Sequence, residues 1–202
     1  MIIGVLGLQG DFDAHKRMIE KLGVKTLVVR RPEDFKKIGG LIIPGGESTT
    51  ITKLLFRYGL VGSVMEFHEK GKPIFGTCAG MIVLAKKIEN HPKQFSFRFI
   101  DISVERNAYG RQIDSFEEDL SIAAIGKKPF RAVFIRAPKI SKIGKNVKSL
   151  AKHGSEHVLA RQGNVLICSF HPELTGDARI HRYFLEMTRG MAKRQKRKPS
   201  KS

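Results

Sequence analysis

Cys78 stands in Gly76-Thr77-Cys78-Ala79-Gly80 and His171 in His171-Pro172-Glu173. These two short words supply a thiol nucleophile, a base and a carboxylate able to orient that base, the equipment of covalent catalysis at a carbonyl. A free cysteine has a pKa of about 8.5, but the positive end of a following helix and a nearby imidazolium both favour the nucleophilic thiolate. Amides at a helix start point outward without partners and can receive the oxyanion of a carbonyl under attack. Ala79 is placed to donate one of them.

The elements that must hold these groups follow from the flanking residues. Pro73-Ile74-Phe75 before the first word and Met81-Ile82-Val83-Leu84-Ala85 after it predict a strand, a tight glycine-flanked turn and a buried helix. That is a nucleophile elbow carrying sulfur in place of oxygen. The apolar run 165–170 predicts a buried strand ending at Pro172, and His171 and Glu173, two residues apart in an extended segment, share a face. Glu173 would then hold the imidazole in one tautomer. Catalytic groups of open α/β sheets gather at the carboxyl ends of strands, so the two words belong at one edge. The turn Pro44-Gly45-Gly46-Glu47-Ser48 follows a strand at 40–43 and precedes a helix with Ile51, Leu54, Leu55 and Tyr58 on its buried face and Ser48 or Thr49 as cap. Gly46 in that turn can aim a second amide at the oxyanion, because glycine adopts the dihedrals this requires. The loop 106–112 is polar, and a guanidinium there would hold an amino-acid carboxylate in a bidentate fork.

The chain has 202 residues, 41% of them hydrophobic, and twenty glycines, which predicts one α/β layered domain over residues 1–190. Residues 2–8 predict a buried parallel strand, 25–30 a second, 97–105 and 130–135 two more, and 147–161 a hairpin. Gly4, Gly7 and Gly10 lack the spacing of a dinucleotide fingerprint, so no nicotinamide or flavin cofactor is expected. A helix carries His15, Met18, Ile19 and Leu22 on one face, with His15 a packing or edge residue. The last helix, from about residue 177, buries Ile180, Tyr183, Phe184 and Met187 and leaves His181 in solvent. The remaining histidines, His68, His91, His153 and His157, show no ligand spacing, and no metal is expected. No apolar run is long enough for a bilayer, and no signal peptide precedes the first strand. Two cysteines ninety positions apart suit a reducing cytoplasm and a catalytic thiol. The formal charge of +18 includes seven basic residues and no acid in 189–202. Residues 191–202 therefore have the composition of a basic, disordered tail. Such a tail could grip an acidic partner in a non-catalytic protein, but without aromatic platforms or a recognisable module it argues against nucleic-acid binding.

Further segments extend the two words into a resemblance. They are Leu8-Gln9-Gly10-Asp11-Phe12, Ile43-Pro44-Gly45-Gly46-Glu47-Ser48-Thr49, 104–112 with Arg106, Phe134-Ile135-Arg136-Ala137-Pro138 and His171-Pro172-Glu173-Leu174-Thr175. The chain resembles the class I, triad-type glutamine amidotransferases and, within them, the glutaminase subunits of pyridoxal 5'-phosphate synthase. The resemblance implies a flavodoxin-like three-layer sandwich with a mostly parallel central sheet. It also implies a Cys78-His171-Glu173 triad that hydrolyses L-glutamine, with Gly46, Glu47, Ser48, Arg106, Ile135 and Arg136 contacting the substrate and Gly46 and Ala79 forming the oxyanion hole. The ammonia would pass to a synthase (lyase) subunit in a hetero-oligomer, which joins it to a pentose phosphate and glyceraldehyde 3-phosphate. That partner would dock near Gln9-Gly10-Asp11 and raise a weak basal activity. Gly7 and Tyr109 stand where the family has alanine and phenylalanine, and neither change removes a functional group. The alternative is a triad glutaminase serving another pathway, such as histidine or purine biosynthesis, against which the 104–112 loop speaks.

Overall fold

The computed structural model describes residues 1–106 and 115–196, with side chains to residue 190. In chain order the elements are β1 Ile2–Leu6, α1 Phe12–Glu20, β2 Lys25–Val29, β3 Gly40–Ile43, α2 Ser48–Arg57, α3 Val61–Glu69, β4 Ile74–Thr77 and α4 Ala79–Leu84. Then follow β5 Ala85–Ile88, β6 Ile100–Glu105, β7 Ser115–Leu120, β8 Phe130–Ile135, β9 Lys139–Ile143, β10 Lys148–His153, β11 Glu156–Gln162, β12 Val165–Cys168 and α5 Arg179–Lys196.

Seven strands form the central sheet in the order β10-β11-β12-β4-β3-β1-β2. The five from β12 to β2 run parallel, and the expected hairpin β10-β11 continues the sheet antiparallel. The inner strands are apolar throughout because both their faces are covered. Along β3, Leu41 and Ile43 point into one core and Ile42 into the other, and in β4 Ile74 and Phe75 divide in the same way. Ile51 and Leu55 of α2, Val64 and Phe67 of α3 and the whole apolar face of α4 fill the first core. Ile19 of α1 and Ile180, Phe184 and Leu185 of α5 fill the second. The result is the expected mixed α/β sandwich with a mostly parallel centre. Two smaller sheets, β5-β6-β9 and β7-β8, were not separable by pattern from the main one; β6 begins at Ile100, three residues later than the alternation suggests.

Three local expectations are corrected. The cap of α2 is Glu47, whose carboxylate accepts from the Thr50 N–H at 2.7 Å, in place of Ser48 or Thr49. Its buried face is Ser48, Ile51, Thr52 and Leu55, while Leu54 is half-buried and Tyr58 lies in solvent, because Tyr58 falls at the helix end, where the chain leaves the sheet. His181 is fully buried: the stripe of α5 that meets the sheet is wider than the aliphatic and aromatic positions alone indicate. Helix α5 continues through Lys196, and residues 197–202 lie outside the described part, as do 107–114 of the polar loop.

Candidate active site

Strand β4 ends at Thr77 and α4 begins at Ala79, so Cys78 is the hinge between them. Its backbone sits at φ 48°, ψ −105°, a conformation uncommon for a residue with a side chain and costly enough that surrounding structure must impose it. That imposition is visible. The Cys78 N–H donates to Cys168 O of the neighbouring strand at 2.9 Å, and Gly80 is so close to β3 that any Cβ there would collide with the Ile43 carbonyl. Glycine at position 80 lets α4 sit down on the sheet and presents Cys78 at its carboxyl edge.

His171 arrives on the segment after β12, three residues past its end. Its N–H donates to Val133 O of β8 at 2.8 Å, which ties the segment to the smaller sheet. Here the geometry departs from the extended segment expected. Pro172–Leu174 forms one 3-10 turn, and this turn, not a shared strand face, brings Glu173 back beneath the ring. His171 Nδ1 and Glu173 Oε1 are 2.7 Å apart. Glu173 is buried, with 1% of its side chain exposed, and its carboxyl is held down to about 2: burial alone would raise it, but His15 and His171 outweigh that cost. Burial would likewise depress His171, yet hydrogen bonding to the Cys78 sulfur and to Glu173, together with their charges, lifts it to about 10. The imidazole is therefore protonated at neutral pH, facing sulfur on one side and a carboxylate on the other.

Cys78 and His171 open into a cavity of about 320 Å³, a size suited to a small metabolite. Gly46, Glu47, Ser48, Ala79, Arg106, Ile135 and Arg136 line it too. Every site residue named from the sequence except the buried Glu173 thus borders one pocket. Gly46 has φ 148°, open to glycine alone, and a Cβ there would strike the Gln9 amide. Arg136, at φ 42°, is a second strained position on the rim. Across the pocket Arg106 donates to Glu47 Oε1 at 2.7 Å through one guanidinium arm and to Gln94 Oε1 at 2.7 Å through the other. Glu47 is itself lowered to about 2, because hydrogen bonds from Thr49 and Thr50 overcome the cost of its partial burial.

Sequence reasoning missed four residues here. Gln9 lines the pocket and accepts the Glu47 N–H at 2.7 Å. Gln94 joins Arg106 to Ser48 Oγ, 3.0 Å from its amide nitrogen. Asn90 brackets the Arg106 backbone through both its N–H and its carbonyl, and Ile82 supplies an apolar wall. No spacing signal marks Asn90 or Gln94, since a polar side chain in a connecting segment reads as solvated until its partner is known. Among the described residues no group of three His, Cys, Asp or Glu side chains is placed to hold a metal, and no helix is long and apolar enough to cross a membrane. Cys78 and Cys168 are both free thiols.

Known proteins match the chain along nearly all of its length. A pyridoxal 5'-phosphate synthase subunit PdxT from Pseudothermotoga lettingae is 58% identical over 187 residues, covering 93% of this chain and 95% of that one. The PdxT subunit of Thermotoga petrophila is 53% identical over 189 residues, 94% of this chain and all of its own. Among solved structures, one described as a glutamine amidotransferase superposes with a TM-score of 0.89 at 50% identity, covering 93% of this chain and 99% of that chain. A GMP synthase protein from Thermoplasma acidophilum, 20% identical with a TM-score of 0.69 and coverage of 97% and 98%, shares the fold. The profile of the SNO glutamine amidotransferase family spans residues 5–190, and the chain, with its sulfur elbow and its His-Glu pair at one sheet edge, belongs to that family.

Proposed function

We propose that this protein is the glutaminase subunit of a pyridoxal 5'-phosphate synthase, hydrolysing L-glutamine and handing the ammonia to a synthase subunit in a hetero-oligomer. The observation that carries the reading is the single pocket in which a Cys78-His171 pair, backed by Glu173, faces a charged Glu47–Arg106 rim. The rim suits the two charges of an amino acid: Arg106 and Glu47 offer opposite signs at one end, and the sulfur waits at the other for the side-chain amide.

The chemistry then follows from the positions. The sulfur adds to the amide carbon as a thiolate, the nucleophilic form. The amides of Gly46 and Ala79 receive the resulting oxyanion. As the tetrahedral adduct collapses, the C–N bond breaks and the proton on His171 goes to the departing nitrogen, which leaves as ammonia. A glutamyl thioester remains on Cys78. The now neutral His171 takes a proton from water, whose oxygen adds to the thioester carbon; the C–S bond breaks, glutamate leaves and the sulfur recovers its starting state. Glu173 keeps one imidazole tautomer throughout. Two free buried thiols suit a reducing cytoplasm. The test is glutamate release from glutamine, measured with and without the synthase subunit of the same organism. Stimulation by that subunit, transfer of labelled amide nitrogen into pyridoxal 5'-phosphate, and a loss of at least about a thousandfold in Cys78→Ala are expected. Hydrolysis that survives Cys78→Ala, or label that never reaches the product, would overturn the assignment.

A further inference from the structure

Behind the triad lies a second layer that the mechanism above does not use. Glu173 Oε2 is buried without a hydrogen bond among the described residues, and His15 Nε2 of α1 stands 3.3 Å from it. The same nitrogen is 3.2 Å from Thr77 Oγ1, one residue before Cys78. On the other side of the ring, His15 Nδ1 is 2.9 Å from His181 Nε2 of α5. Both histidines are fully buried, and neither lines the pocket.

Two proton arrangements are open to this pair, and electrostatics separates them. If His15 carried its proton on Nδ1, its Nε2 lone pair would face a buried carboxylate, and His181 would keep a buried N–H at Nδ1 with nothing to donate to. If His181 donates from Nε2 to His15 Nδ1, the His15 proton lies on Nε2, between Thr77 Oγ1 and Glu173 Oε2. Only a bare lone pair, at His181 Nδ1, is then left unpartnered. Burial pushes both rings below their ordinary value, His181 to about 3, while the Glu173 charge opposes this at His15, so the contact between His15 and Glu173 is electrostatic as well as directional.

We infer that His15 is a positioning residue for the proposed hydrolysis: its Nε2–H is hydrogen-bonded to the hydroxyl of Thr77 and lies beside the outer oxygen of Glu173 at ion-pair distance, and His181 fixes the tautomer that makes this possible. The inference rests on the glutaminase reading and deepens it. Its consequence is electrostatic as well as geometric. Glu173 must stay ionised to support the His171 imidazolium, and it is buried; each donor it loses makes ionisation harder. The titratable groups around it come from every packed element: His171 on its own turn, His15 and Asp11 at the start of α1, His181 on α5, and Cys78 and Cys168 past or at the ends of β4 and β12. A group whose pKa is depressed in the fold is ionised above that value and fails as pH falls through it. Removing a donor raises the value, so the acidic limb of activity moves to higher pH.

The experiment is steady-state glutaminase kinetics against pH on the full chain with its synthase subunit, for His15→Leu, His15→Gln, His181→Leu and Cys78→Ala, each checked by thermal melting. His15→Leu is expected to lower kcat about ten- to a hundredfold, the range of one hydrogen bond to a charged group. KM should stay within about twofold, because His15 does not reach the pocket, and the acidic limb should move up. His15→Gln, which restores a donor, should recover most of kcat, and His181→Leu should lower it by a smaller factor with the same upward movement. Wild-type kcat and pH profile in His15→Leu, with Cys78→Ala inactive, overturns the positioning role alone. Equal losses in His15→Leu and His15→Gln also overturn it, since the donor would then be irrelevant. Should His15→Leu fail to fold, wild-type kinetics in His181→Leu overturns it. A fully active Cys78→Ala removes the glutaminase reading and this role together.

Discussion

The Arg106 guanidinium is already engaged before any substrate arrives, one arm on Glu47 and the other on Gln94. If glutamine binds as proposed, its carboxylate would share that fork, which only a planar group with five donors can divide among three partners. Lysine is a point charge with a rotating head and cannot. Arg106→Lys is therefore expected to raise KM for glutamine about tenfold while kcat changes less than about threefold, measured by steady-state hydrolysis. A KM unchanged by Arg106→Lys would remove Arg106 from the substrate contacts. Cys78, His171 and Glu173 could be named from the sequence because two short words at strand ends supply a thiol, an imidazole and a carboxylate together, and Arg106 because a guanidinium in its polar loop could fork a carboxylate and the resemblance marks that loop. Gln94 and Asn90 were not legible, since their function is to hold Arg106 and nothing local records which side chain lies opposite.

At the scale of elements, the strand-elbow-helix unit β4-Cys78-α4 depends on contact between backbones. Gly80 lies against Ile43 O with no room for a methyl group, and the opposing atom is main chain at the centre of the sheet, so it cannot swing aside as a flexible side chain would. Gly80→Ala is expected to cost about 1–3 kcal/mol of stability through overpacking, read as a lower midpoint in urea, and to abolish hydrolysis because α4 must lift and carry Cys78 with it. Wild-type stability together with wild-type activity would show that the elbow tolerates displacement. The sequence located this elbow correctly but mistook the segment after β12: the apolar run 165–170 suggested a strand carried on to Pro172, and the structure has a 3-10 turn at Pro172–Leu174. Both conformations are compatible with proline's φ. What selects the turn is the fit of Glu173 beneath His171 and beside His15, a tertiary circumstance.

For the whole molecule, the family match ends at Gly190, while basic residues continue to Lys201. Among the described side chains of α5, which end at residue 190, Ile180, Phe184, Leu185 and Met187 enter the core. Deleting residues 197–202 is therefore expected to leave kcat and KM for glutamine within about twofold of wild type, and a tenfold loss in the same assay would tie the tail to the site. By itself the sequence determined the α/β class, the apolar strands and the chemistry of the two short words, because buried parallel strands need unbroken hydrophobicity and a nucleophile turn needs small neighbours, and both demands are local. Only the tertiary structure decided that His15 and His181, 166 positions apart, meet behind Glu173. The periodicity of α1 put His15 on its packed face, while that of α5 left His181 in solvent; two imidazoles become partners only when both helices pack on one face of the sheet, and that depends on strand order, which no short stretch of sequence encodes.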